Sequence, residues 1–156
     1  QRVIFNSGDR FEVYSDSADM LVSEGEYSTF TNDLISEMNE RELSGIHEPM
    51  FVYIPDVQVF GDKSFITSEN FNRYLKKGPK VGMHFILQGN QKQIENSFDD
   101  VNKTLRANIP AGMAGTRLID QSFVNVKSSY NEPTVELDES HYFVGRNACR
   151  VKLVSE

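Results

Sequence analysis

The 156-residue chain has a single cysteine, no tryptophan, five prolines and three histidines. A lone thiol, Cys149, cannot close an internal disulfide. That excludes a disulfide framework and points to a reducing compartment. No apolar run approaches the roughly 20 residues that a membrane helix needs. The opening segment from Gln1 to Phe11 lacks an apolar h-region, so no signal peptide is expected. Work at a membrane would depend on segments outside this chain. The phosphate-cradling pattern G-x-x-x-x-G-K-[ST] occurs nowhere, because Gly78, Gly82 and Gly89 are not followed by Lys-Ser or Lys-Thr. His47, His84 and His141 stand far apart, and neither H-x-x-x-H nor C-x-x-C spacing occurs, so no metal site is expected.

What is present suits a folded domain. The chain is 38% hydrophobic and 11% aromatic, too apolar for disorder. Its length predicts one domain, residues 1–156, able to bury about 70% of its unfolded surface. The formal charge of −7 is unevenly placed. Residues 1–60 carry twelve acids against three bases, and residues 61–156 carry eleven against thirteen. Lys76, Lys77, Lys80, Lys92, Lys103 and Arg106 are the only hint of a basic patch, and solvated helix ends account for them. A dedicated nucleic-acid binder carries more.

The order of elements follows from periodicity and punctuation. Arg2 to Asn6 reads as a buried strand closed by the turn cluster Asn6-Ser7-Gly8-Asp9. A further apolar run spans Phe11 to Tyr14. Ser23 and Glu26 form a capping box ahead of a helix whose inward face is Tyr27, Phe30, Leu34, Ile35 and Met38, ending near Gly45. Met50 to Ile54 is a continuous apolar run, as in a parallel strand covered on both faces. Thr67 to Lys77 is a second helix, with Phe71, Tyr74 and Leu75 inward. Met83 to Leu87 is another buried strand. Asn90 and Gln93 can cap a third helix with Ile94, Phe98, Val101 and Leu105 on one face. Short strands follow at 112–119, 134–137, 142–145 and 149–154, with turns at Asp138-Glu139 and Arg146-Asn147. Strand and helix alternation predicts an open α/β sheet, where ligands sit at the carboxyl ends of the strands. The residues to interrogate are therefore Asn6, Pro55-Asp56 and Gln88 to Gln91.

Each candidate has two readings. Asp56 closes the strand from Phe51 to Ile54, where an acid could organise a metal and water beside a nucleotide. It could equally cap a turn, the commoner use. Asn90 and Gln91 follow a buried strand and could sense a terminal phosphate. Asn90 also suits a helix N-cap. Cys149 is expected as a buried structural thiol, His84 as a core histidine, and Asp99-Asp100 as a solvated helix face.

Taken in order, several stretches resemble the FtsK/SpoIIIE family of hexameric translocation ATPases. Val3 to Asn6 resembles the second sheet strand, and Phe51 to Asp56 the Walker B strand. Gly82 to Leu87 resembles the Gly-x-His-apolar strand that leads into an Ala-Thr-Gln sensor. Arg106 to Pro110 is similar to the family's Lys-Ala-Asn-Ile-Pro, and His141 to Arg146 resembles its closing Tyr-Tyr-Val-x-Arg strand. The resemblance implies a RecA-like P-loop NTPase-type α/β sheet flanked by helices, with the N-terminal strand and phosphate loop missing from this chain. Departures point to the degenerate terminal ATPase-like domain of a type VIIb secretion coupling protein. Pro55 replaces the Walker B aspartate, Gln88-Gly89-Asn90 replaces Ala-Thr-Gln, and Gly112 and Thr116 stand where active members carry arginines.

The resemblance further implies a domain within a multidomain protein at the cytoplasmic face of the bacterial membrane, with no bound cofactor here although the family uses ATP and magnesium. It would bind or gate secreted effector proteins, beside an adjacent ATPase domain, in a protein that can form hexamers. The alternative is an active ATPase domain of a protein or DNA translocase, with Asp56 as its acid and Asn90 and Gln91 as its sensor. The acidic first 60 residues argue against DNA.

Overall fold

The computed structural model describes residues 1–45 and 48–153. His47 and the Val154 end of the last expected strand lie outside them. The backbone forms two compact units, Gln1–Asn108 and a second beginning at Ile109.

The first unit is built on a four-stranded parallel sheet in the order β2-β1-β3-β4, from β1 (Arg2–Asn6), β2 (Met20–Ser23), β3 (Met50–Ile54) and β4 (Met83–Leu87). Register is continuous across β3 and β4, from Met50 opposite Met83 to Ile54 opposite Leu87. One face of the sheet is dry: Val3, Phe5, Val22, Val52, Ile54 and Met83 are buried on it. Full burial of each such side chain contributes about 1.5–3 kcal/mol. Among the described residues the other face is only partly covered, since Phe51 and Ile86 are 45% and 52% exposed. The expectation of a β3 strand enclosed on both faces is corrected to that extent. Its residues alternate between faces, and only alternate positions meet the helices.

Three helices supply the buried face. α1 (Tyr27–Ser44) follows a short 3₁₀ turn, with the Ser23 hydroxyl donating to Glu26 Oε2 at 2.6 Å and the Ser23 amide at 3.2 Å. It buries Tyr27, Thr31, Leu34 and Met38, and it stops where Gly45 takes φ 76°, a left-handed conformation that costs glycine little. α2 (Val57–Ser64) was not expected from the sequence, being only two turns long. α3 (Ser68–Lys77) turns Phe71 and Tyr74 inward. The rings interlock: Phe5 meets Tyr27 at 4.8 Å and Phe60 at 5.2 Å, both edge-to-face, and Tyr74 stacks on Phe85 at 4.7 Å. The Tyr74 hydroxyl donates to the Thr31 carbonyl at 2.5 Å. Burial pushes both the Tyr27 and Tyr74 phenols well above their ordinary value.

The single helix expected from Asn90 onward is two helices, α4 (Gln91–Asn96) and α5 (Asp100–Asn108). Ser97 is extended, and Asp99 Oδ1 accepts from the Asn102 amide at 2.8 Å, so a new N-terminus starts there. Arg106 ties the end of α4 to it through the Ile94, Glu95 and Ser97 carbonyls. Phe98 falls at the break and is 83% exposed rather than in the core. Asp99 is thus a cap, not a solvated face. β2 was also missed, because four residues after a polar stretch carry no period-2 signal. The apolar run from Phe11 to Tyr14 is no strand: Glu12–Tyr14 forms a short 3₁₀ turn.

The second unit holds a three-stranded antiparallel sheet, β5 (Ala111–Ala114), β6 (Glu139–Val144) and β7 (Asn147–Lys152), in that order. β6 and β7 form a hairpin whose Gly145 sits at φ 58°. The expected strand at 112–119 ends at Ala114, and 134–137 forms none: Leu137 is fully exposed. Glu139, expected in a turn, opens β6. Cys149 is exposed, not the buried thiol expected, because β7 is the edge strand of this sheet and nearly all of its residues are exposed on both faces.

Candidate functional site

The carboxyl ends of β1, β3 and β4 bring together Asn6, Asp56, Gln88 and the turns after them. Val57 N donates to the Gln88 carbonyl at 3.0 Å, and Gln88 N to the Ile54 carbonyl at 2.9 Å, so the β3 and β4 exits are tied directly. Between them Gly89 passes so close that a Cβ would lie 2.6 Å from Val57 and 3.0 Å from Ile94. No side chain fits there, which fixes how Asn90 and Gln91 leave the sheet.

Asp56 is the N-cap of α2. Its Oδ1 accepts from the Gln58 amide at 3.1 Å and the Val59 amide at 3.2 Å. Its Oδ2 faces Arg10 at 3.9 Å. Asn90 is the N-cap of α4, its Oδ1 accepting from the Lys92 and Gln93 amides at 3.0 and 3.4 Å. The Gln91 amide donates to Glu95 at 3.2 Å on the same helix. The three residues thus lie just past the ends of β3 and β4, and the oxygens of Asp56 and Asn90 complete helix starts.

The turn after β1 also crosses this edge, and sequence reasoning missed its part. Buried Asn6 donates through Nδ2 to Glu12 at 2.7 Å and accepts the Phe11 amide at 2.9 Å, which folds residues 7–14 back over the sheet end. That brings Arg10 toward Asp56 and sets Phe11 edge-on to Tyr53 at 5.7 Å. The Tyr53 hydroxyl donates to Gln88 Oε1. Burial raises the Tyr53 phenol above its ordinary value, and the Arg10 charge opposes this. The signal available in sequence was the Asn6-Ser7-Gly8-Asp9 cluster.

These residues offer a nucleotide–magnesium group little: Pro55 has no side-chain oxygen at the strand end and Asp56 Oδ1 is taken by two amides, which leaves Oδ2, 3.9 Å from Arg10, as the carboxylate oxygen without a hydrogen bond. His84 is half-buried, stacked on Phe51 at 5.3 Å. In the second unit an open notch of about 400 Å³ is lined by Asn125, Val126, Lys127, Arg146 and Asn147, and no sequence-predicted site residue lines it.

No family model matches the chain. Among curated proteins it is similar to the type VII secretion system protein EssC of Staphylococcus aureus. Identity is 27% over 116 residues for strain NCTC 8325 / PS 47, covering 74% of this chain and 8% of that protein. For strain MRSA252 it is 23% over 109 residues, covering 70% and 7%. Three solved structures share the fold. The cytoplasmic domain of EssC superposes with a TM-score of 0.76 at 15% identity, over 98% of this chain and 33% of that one. EssC (ATPases 2 and 3) from Geobacillus thermodenitrificans gives 0.73 at 15% identity, over 97% and 30%. Thermomonospora curvata EccC (ATPases 2 and 3), in complex with a signal sequence peptide, gives 0.70 at 13% identity, over 99% and 30%. The chain thus has the mixed α/β fold of these ATPase domains, with a parallel sheet flanked by helices. It spans under a tenth of the curated relatives and about a third of the solved chains.

Proposed function

We propose that this chain is the terminal ATPase-like domain of a type VII secretion motor, binding or gating secreted proteins with little or no ATP hydrolysis of its own. The observation that carries the reading is Asp56: the one acid at the Walker B-like strand end caps α2 with Oδ1 and faces Arg10 with Oδ2. An N-cap oxygen shared by two amides is committed to the helix, and Pro55 adds no second acid beside it. Similarity to EssC supports the secretion context, and a signal sequence peptide on a structural neighbour supports polypeptide recognition.

In this reading the domain works at the cytoplasmic face of the membrane, beside an adjacent ATPase domain of the same protein, with hexamer formation a property of the whole. Among the described residues no helix is long and apolar enough to cross a membrane, so attachment falls to other segments. No bound cofactor is expected in this domain, although the family uses ATP and magnesium, and DNA is not its substrate.

The test is a titration of type VII signal peptides onto the intact protein without nucleotide, followed by fluorescence anisotropy. Saturable binding that needs no ATP is expected. No binding, together with ATP turnover that depends on Asp56, overturns the proposal in favour of an active ATPase domain. DNA binding that weakens steeply with salt would favour a DNA translocase instead.

A further inference from the structure

The second unit pairs most of its cations internally. Arg117 pairs with Asp120, Arg150 with Glu139 and Lys152 with Asp138. Two cations are left over. Among the described residues, the side chains of Lys127 and Arg146 meet no acid, and both line the open notch of about 400 Å³ together with Asn125, Val126 and Asn147. The amide groups of Asn125 and Asn147 have no hydrogen-bond partner among the described residues either.

The walls of the notch are held by other contacts. The Lys127 amide donates to the Arg146 carbonyl at 3.3 Å, which joins the two cationic residues through the backbone. The β6–β7 turn is anchored where the Gly145 amide donates to the Pro110 carbonyl at 2.9 Å. On the other wall Gln121 accepts the Val124 amide at 2.8 Å and donates to the Leu118 and Val124 carbonyls at 3.1 and 3.0 Å, which fixes the chain just before Asn125. The four polar side chains are therefore free of structural duties and share one opening.

Their chemistry selects an anion. A guanidinium presents a fork of donors that matches the two oxygens of a carboxylate, an ammonium adds three donors, and each asparagine amide adds two. Two like charges with no acid between them repel, and an anion placed there removes that cost. The volume falls within the roughly 300–1,000 Å³ of ligand clefts, far above the ~30 Å³ share of one water, so the notch suits a chain segment better than a lone ion. Two cations are fewer than the roughly four to eight that draw a protein to anionic lipid. Val126 adds an apolar wall.

We propose that this notch binds a carboxylate side chain of an acidic peptide segment, with Arg146 holding both oxygens and Lys127, Asn125 and Asn147 supplying charge and further donors. The site stands on the second unit's own charges and not on the secretion reading.

The probe is a rhodamine-labelled peptide of alternating glutamate and leucine, titrated onto the intact protein at low salt and followed by fluorescence anisotropy. Saturable binding is expected, weakened about tenfold in Arg146→Gln and about threefold in Lys127→Gln. Both side chains are exposed, so the variants keep the fold. Lys103→Gln, the same charge change at an exposed position of α5, is expected to bind as wild type does. A peptide with glutamine in place of glutamate is expected to bind at least about tenfold more weakly. No binding overturns the site, and so does equal affinity in wild type and both notch variants. A Lys103→Gln loss as large as theirs reduces the effect to net charge and overturns it too, as does a glutamine peptide that binds as tightly. Phosphatidylserine vesicles that depend on Lys127 and Arg146 while the peptide does not would overturn it in favour of a membrane surface.

Discussion

Replacing Asp56 with alanine separates a helix cap from a catalytic acid. The alanine leaves the Gln58 and Val59 amides of α2 without their acceptor at 3.1 and 3.2 Å. Loss of an N-cap costs typically about 1 kcal/mol, within roughly 0.5–2. The Arg10 contact adds little, since it is 3.9 Å long and the arginine side chain is 59% exposed. For a chain of this size about 1 kcal/mol moves the midpoint by roughly 2–4 °C. Asparagine caps as well as aspartate, so Asp56→Asn should unfold within about 0.5 kcal/mol of wild type. The assay is thermal and urea unfolding of wild type and both variants, followed by circular dichroism. The expected order is Asp56→Asn close to wild type and Asp56→Ala clearly below both. A residue held for catalysis behaves otherwise, since its removal commonly leaves stability unchanged or raises it. Asp56→Ala as stable as wild type would refute the capping argument.

Tyr74→Phe removes the hydroxyl that donates to the Thr31 carbonyl at 2.5 Å in the core, and should lower stability by about 1 kcal/mol in urea unfolding. Phe98→Ala should change stability by less than about 0.5 kcal/mol, because the ring is 83% exposed. A one-helix reading of 90–108 would require a core-sized loss of about 3–5 kcal/mol. Burial pushes the Asp99 carboxyl up, but hydrogen bonds from Asn102 and Ser97 outweigh it and hold the carboxyl below its ordinary value. A depressed carboxylate adds stability above its unfolded value and loses it as pH falls through the folded one. Asp99→Asn should therefore flatten the acid limb of a stability–pH profile below about pH 4 without changing the neutral-pH slope.

The parallel strands β1, β3 and β4 were legible because unbroken apolar runs bounded by turn residues leave few alternatives. α1 was legible from its capping box and three-four spacing. What escaped was short. β2 has four residues and α2 eight, too few for periodicity to register. The α4–α5 break escaped for a different reason. Ile94, Phe98, Val101 and Leu105 keep a perfect helical spacing across it, and only the Ser97-Asp99 cap chemistry interrupts the backbone. Cys149 was misplaced because a short run of this composition does not announce that its strand lies at a sheet edge with both faces exposed. At the candidate site, the positions of Asp56, Asn90 and Gln91 at the strand ends were readable. The cap reading, one of the two open for Asp56 and Asn90, is the one to which the distances give a structural counterpart. The Arg10 approach to Asp56 depends on the fold-back organised by buried Asn6, a long-range consequence that no local pattern carries.

The most direct test of a domain that binds substrate without hydrolysing nucleotide is magnesium-dependent ATP turnover by the intact protein, compared with its Asp56→Asn variant. Turnover unchanged within about twofold is predicted, because Asp56 serves α2 as its N-cap. A fall of about 100-fold or more, the usual loss when a general base is removed, would contradict it.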